Sequence, residues 1–252
     1  MERHTFRAMG TDIELLGDGA FAAAEQEFHR LEAIMTRFRE ESELSRLNRE
    51  GEIDASPDLV RVVELALDGR ERTDGRFDPT VHAALVAAGY DRTFAEVHDG
   101  ALGEHRPAGG AVHVERNRIS LAPGVGLDLG GIGKGYAAER AAEILGTAGP
   151  CLVNAGGDIA VRGGEWPIGV EETTLALADG GLATSGRDRR RWRRGGHEQH
   201  HLIDPRTGRP ARTDLLRVTV VAADAVEAEI QAKNVFLGGP ADGCAYVLAV
   251  AA

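Results

Sequence analysis

Lys134 sits within a run of glycines, residues 128–136 (DLGGIGKGY), just ahead of a segment with helical spacing. Glycines admit a ligand close to the main chain, and the first turn of a helix presents unpaired N–H groups at the positive end of its dipole. An anion such as a phosphate suits that combination; the plain alternative is a tight strand-to-helix turn with Lys134 in water. The run does not make a phosphate-binding P-loop, because Asp128 stands where the first glycine belongs and Gly135 where Ser or Thr belongs. Residues 133–138 fit the loose dinucleotide pattern G-x-G-x-x-A without the other parts of a Rossmann unit. A second grouping is His197, His200 and His201 with Asp204. On a strand His200 and His201 point to opposite faces, which is poor geometry for three zinc ligands. One imidazole beside a ligand would instead supply a base titrating near neutrality; the plain alternative is solvent-facing histidines beside a turn at 204–208. A third grouping is the basic run 187–194 (RDRRRWRR), either a patch for phosphates or an acidic partner around Trp192, or a solvated hairpin.

The elements that must position these groups follow from periodicity. Residues 3–17 alternate and predict a first strand. Phe21, Ala24, Phe28, Leu31, Met35 and Phe38 recur every three or four residues, which predicts a helix over 21–38 with an aromatic core face. A second helix over 58–72 turns Leu59, Val62, Val63 and Leu67 inward. Asp78 is placed to cap a third, with Pro79 in its first turn and Gly89 at its end. A hairpin over 112–121 and a helix from the glycine run to Gly146 come next. Short strands follow at 151–153, 158–162, 166–170, 182–184 and 198–203, then a strand at 216–222, a helix at about 225–237 and a strand at 244–250. Helices and strands mix without regular βαβ alternation, so the pattern predicts an α+β fold in one domain over 1–252.

Composition narrows the classes. The 252 residues, 42% of them hydrophobic, suffice for a sizeable core. Twenty-nine Lys and Arg against 40 Asp and Glu give a net charge of −11, which disfavours a nucleic-acid binder. Two cysteines, Cys151 and Cys244, are too few for a disulfide scaffold. No apolar run is long enough for a membrane span and the N-terminus lacks an apolar signal region, so a soluble, cytoplasmic protein is expected.

The order of motifs says more than any one of them. Residues 8–11 (AMGT), 35–39 (MTRFR), 42–48 (SELSRLN) and 77–81 (FDPTV) precede the glycine run. Residues 153–158 (VNAGGD), 183–186 (ATSG), 201–208 (HLIDPRTG) and 218–220 (VTV) follow it. This succession resembles the ApbE family of FAD:protein FMN transferases from about residue 4 to about residue 250. The resemblance implies a single α+β domain with mixed and antiparallel sheets and flanking helices. It also implies an enzyme that splits the pyrophosphate of FAD, passes FMN to a Thr or Ser hydroxyl of an acceptor protein and releases AMP. Met9, Phe38, Arg76, Phe77, Asp78, Gly130, Tyr136 and Ile203 match family positions that contact the flavin nucleotide. Phe38 replaces a tyrosine common there, keeping a stacking face without the hydroxyl. His201 matches the histidine that helps deprotonate the acceptor hydroxyl, and Lys134 a lysine near the phosphates.

The metal positions depart from the family. There Mg²⁺ is held by a main-chain carbonyl of the glycine run, a helical aspartate and a threonine four residues later. Gly133 matches the carbonyl position and Glu229 the aspartate, but Lys233 stands in place of the threonine. A carboxylate still suits Mg²⁺, whereas an ammonium offers no lone pair. Three outcomes are open: the Lys233 ammonium takes the metal's place, the chain binds FAD or an adenine nucleotide without transfer, or Glu229 and Lys233 form an exposed i,i+4 pair on a displaced helix. Hydrolysis of FAD to FMN and AMP is an enzymatic variant of the same chemistry.

Overall fold

In the computed structural model, which describes residues 1–251, the alternation of the first segment is broken by Met9 and Gly10, whose φ angles of 51° and 70° reverse the chain. One strand therefore becomes a hairpin of β1 (Glu2–Ala8) and β2 (Thr11–Gly17). The chain continues with α1 (Phe21–Met35), α2 (Glu43–Glu50), β3 (Glu52–Asp54) and α3 (Pro57–Arg72). A 3₁₀ turn at Pro79–Val81 runs into α4 (His82–Ala87), followed by β4 (Val112–Glu115), β5 (Arg118–Leu121) and α5 (Gly133–Gly146). Then come β6 (Cys151–Ala155), β7 (Asp158–Arg162), β8 (Trp166–Val170), β9 (Thr173–Leu177) and β10 (Gly180–Gly186). β11 (Arg191–Arg194), β12 (His197–His200), β13 (Ile203–Asp204), β14 (Arg209–Pro210), β15 (Leu215–Ala222), α6 (Ala225–Phe236) and β16 (Tyr246–Ala251) complete it.

The α+β class expected from the pattern is the one observed. Seven strands form an antiparallel sheet in the order β1-β2-β6-β7-β10-β15-β16. Alternation along β6 and β7 divides its two faces. Cys151, Val153, Ala155 and Ala160 face Phe28 and Leu31 of α1 and the alanines of α5, while Leu152, Ile159 and Val161 meet Trp166, Ile168 and Val170 of the β8–β9 hairpin.

Helix ends follow local chemistry. The Ser42 hydroxyl accepts from the Ser45 N–H at 3.0 Å to start α2, a helix the periodicity did not single out, and Gly51, at φ 79°, ends it. α1 stops at Met35 rather than reaching Phe38, because Thr36 turns extended and its carbonyl accepts the Ser42 hydroxyl at 2.5 Å. Phe38 is thereby taken off the core face and left 37% exposed. Among the described residues no helix is long and apolar enough to cross a membrane.

Phe28 is fully buried between sheet and helices. Phe28→Ala should lower the unfolding free energy by about 3–5 kcal/mol in equilibrium denaturation; a loss no larger than that of an exposed-site substitution would contradict this packing.

Candidate active site

A cavity of about 1050 Å³ opens where the β1–β2 turn, the segment after α1, the glycine run, the β6–β7 turn and α6 meet. Its lining includes Met9, Phe38, Arg76, Phe77, Asp78, Gly130, Gly133, Lys134, His201, Ile203 and Glu229. Eleven positions from six separate stretches of sequence thus reach one space. Tyr136 does not line it. Two residues along a helix from Lys134 is more than half a turn, so its ring points the other way and its hydroxyl donates to Asp58 Oδ1 at 2.9 Å. Burial, with that bond to Asp58, pushes the phenol up to about 12.

The glycine run is occupied differently from the expectation that its helix would offer free N–H groups to an anion. The Gly133 N–H donates to the Leu129 carbonyl at 2.8 Å, and the Gly135 N–H donates to Glu229 Oε2 at 3.0 Å. A side-chain carboxylate already sits at the positive end of α5. Gly135 is required there: a Cβ would lie 2.7 Å from the Ala225 carbonyl oxygen and 3.0 Å from Glu229 Oε2.

Glu229, 1% exposed, is therefore not on a displaced, solvent-facing helix. Lys134 Nζ contacts Asp158 Oδ2 and donates to Glu229 Oε1 at 3.1 Å; Lys233 Nζ reaches the same Oε1 at 3.4 Å and the Glu229 carbonyl at 3.3 Å. Burial alone would raise Glu229, but Lys134, Lys233 and the Gly135 N–H outweigh it and hold the carboxyl below its ordinary range. Asp158 goes the other way, raised by burial and by the Glu229 charge. Lys134, although buried, is held protonated by the two carboxylates. Asp158 is a member of this group that residue spacing did not single out, because it opens β7, 24 residues beyond Lys134.

The strand expected over 198–203 ends at His200, the last residue of β12, and His201 follows it in a bend with its ring pointing to a different place. His200 is buried with Nε2 at 3.0 Å from the Ala211 carbonyl, while His201 faces the cavity with Nδ1 at 3.4 Å from the Arg190 carbonyl. A carbonyl only accepts, so Nδ1 carries the proton and Nε2 keeps its lone pair. Burial, reinforced by the charges of Arg190 and Lys233, lowers His201 to about 3, so it is neutral at physiological pH.

Aromatic and arginine side chains form another part of the wall. The Arg37 guanidinium lies 4.3 Å from the Phe38 ring centre and 4.6 Å from that of Tyr90, and pairs with Asp128 at 2.5 Å. The basic run divides. Arg189 and Arg190 line the cavity, Arg194 donates to the carbonyls of Ala101 and His98, and Trp192 is buried against Tyr90 with its N–H bonded to the Ala88 carbonyl. Asp78 caps as expected, accepting from the Thr80 N–H and hydroxyl at 2.8 and 2.6 Å, and pairs with Arg70 at 3.1 Å.

His201 also sets a pH dependence. Folded, it takes its proton near pH 3; unfolded, near 6.5. Between those values the unfolded chain binds more protons, so this residue's contribution to stability falls as pH drops through that window. In denaturant unfolding, His201→Gln should therefore gain stability relative to the unsubstituted protein on moving from about pH 7.5 to about pH 5. An unchanged difference would mean that His201 titrates as a solvated imidazole.

Residues 9–251 match the sequence profile of the ApbE family. Among relatives, the FAD:protein FMN transferase of Treponema pallidum is 29% identical, over 90% of this chain and 74% of that protein. The FAD:protein FMN transferase of Haemophilus influenzae is 28% identical, over 92% of this chain and 79% of that protein. The crystal structure of an ApbE protein from Thermotoga maritima superimposes with a TM-score of 0.87 at 25% identity, covering 99% of this chain and 94% of that one. Flavin transferase ApbE from Vibrio cholerae shares the fold, with a TM-score of 0.76 at 21% identity over 99% of this chain and 96% of that one. With its sequence matched almost end to end, this chain is a member of the ApbE family.

Proposed function

We propose that the protein transfers the FMN half of FAD to a Thr or Ser hydroxyl of an acceptor protein, releasing AMP. The observation that carries this reading is the convergence on one cavity of a neutral imidazole, His201, and two ammoniums, Lys134 and Lys233. The relatives named FAD:protein FMN transferase support the choice of substrate. Phe38 offers a ring face to the flavin, its other side backed by the Arg37 guanidinium. In the reaction, the acceptor oxygen bonds to the FMN phosphorus and the bridging P–O bond breaks, so AMP departs with the electron pair. The hydroxyl proton passes to Nε2 of His201 and on to solvent. Negative charge gathering on the departing phosphate is met by the fixed ammoniums.

The side chains at the family's metal positions do not fit Mg²⁺. Both Glu229 oxygens are engaged, one by the Gly135 N–H and one by two ammoniums, and Lys233 has no lone pair to give.

Incubation with FAD and a candidate acceptor should give in-gel flavin fluorescence on the acceptor and an equal amount of AMP. AMP without a labelled acceptor would show hydrolysis, and FAD binding without AMP would show a binder. His201→Ala should lower turnover by roughly a hundredfold or more while leaving FAD affinity nearly unchanged, since a base acts in the transition state. Equal loss of both would assign His201 to binding instead.

A further inference from the structure

Asp158, Lys134, Glu229 and Lys233 make a chain of alternating carboxylates and ammoniums in the cavity wall, with formal charges that sum to zero. Each ammonium has three N–H donors. Lys134 gives one each to Asp158 and Glu229, and Lys233 gives two to the side chain and carbonyl of Glu229. One donor of each remains, and both side chains line the cavity.

Lys233 reaches the cluster across Gly131. Its stem crosses Gly131 so closely that a Cβ there would sit 2.9 Å from Lys233 Cε and 3.4 Å from Phe77. A divalent ion brought to this place would add two positive charges to a neutral group beside two ammoniums, and would have to take Glu229 oxygens from their present donors. An anion meets the opposite situation: each ammonium in the cavity wall keeps one N–H uncommitted, and the nearby Arg190 adds further positive charge.

We propose that Lys134 and Lys233 form a metal-independent seat for the diphosphate of the bound dinucleotide, with the Lys233 ammonium standing where relatives of this fold would place a divalent ion. The identity of the dinucleotide rests on the function proposed above; the seat itself is a property of the four side chains.

The test uses the full chain and three probes: FAD followed by flavin fluorescence, inorganic pyrophosphate by calorimetry, and Mn²⁺ by its electron paramagnetic resonance signal. FAD and pyrophosphate should both bind in excess EDTA. FAD affinity should change by less than about twofold on adding Mg²⁺, and Mn²⁺ added to the ligand-free protein should keep its free aqueous signal. Lys233→Met, which keeps the stem and removes the charge, should weaken both ligands in EDTA by roughly tenfold or more, the scale of a lost charged hydrogen bond. The double variant Glu229→Asp with Lys233→Thr should begin to sequester Mn²⁺.

FAD binding abolished by EDTA and restored by Mg²⁺, or Mn²⁺ sequestered by the unsubstituted protein, would overturn the proposal. So would unweakened binding to a folded Lys233→Met. Should that variant not fold, the EDTA and Mn²⁺ comparisons on the unsubstituted chain still decide. Pyrophosphate binding in EDTA without FAD binding would leave the seat standing and remove the flavin reading; failure of both ligands under every condition would remove the seat.

Discussion

One buried carboxylate ties the site together. Glu229 accepts the Gly135 N–H with one oxygen and two ammoniums with the other, joining α6 to the first turn of α5 and both to the start of β7 through Lys134 and Asp158. A carboxylate in such a place is tolerated only when its charge is fully paired, because desolvation is expensive and removing one partner of a buried pair costs about 3–5 kcal/mol. The glycine run is shaped by that demand. Gly135 brings the helices into contact and Gly131 leaves room for the Lys233 stem. What resembles a phosphate loop in one dimension is a loop whose anion is supplied by the protein itself.

The sheet performs the complementary task. Its antiparallel order places β2, β6, β7 and β10 side by side, so that the β1–β2 and β6–β7 turns open at the same cavity. The small faces of α5, with Ala137, Ala138, Ala141 and Ala142 buried, let that helix lie close on β6 and β7 and fix the height at which Lys134 leaves its first turn. The aromatic wall has a separate support: Trp192 is anchored to the Ala88 carbonyl and packs on Tyr90, which in turn neighbours Phe38. The ammonium-bearing and aromatic walls thus belong to different substructures.

Long periodic segments were the legible part of this fold. The helix over 58–72 is α3 within a residue, capped at Ser56 with Pro57 following, and the short strands expected at 158–162 and 166–170 have those bounds. The hairpin at Met9–Gly10 escaped because a positive φ at methionine has no residue-type signal. α2 escaped because eight residues offer barely two turns of periodicity. At the site, the ordered motifs contain most of the residues that reach the cavity, but Tyr136 lies where its motif is already helical and residues two apart face different ways. The pairing of Lys134 with Asp158 was invisible, since only the β6–β7 turn brings them together.

Glu229 and Lys233 read differently as a pair than as two departures from a family pattern. A lysine at 233 beside a solvated or metal-bound partner would be one unpaired cation in a cavity already holding Lys134 and Arg190. With Glu229 Oε1 shared between both ammoniums, and Asp158 taking the remaining share of Lys134, the cluster is neutral and each charge has a partner. A methylene longer than aspartate, glutamate spans from α6 to the Gly135 N–H while still facing Lys233. Lys233 depends on Glu229 for both of its hydrogen bonds, so the two positions act as one electrostatic unit.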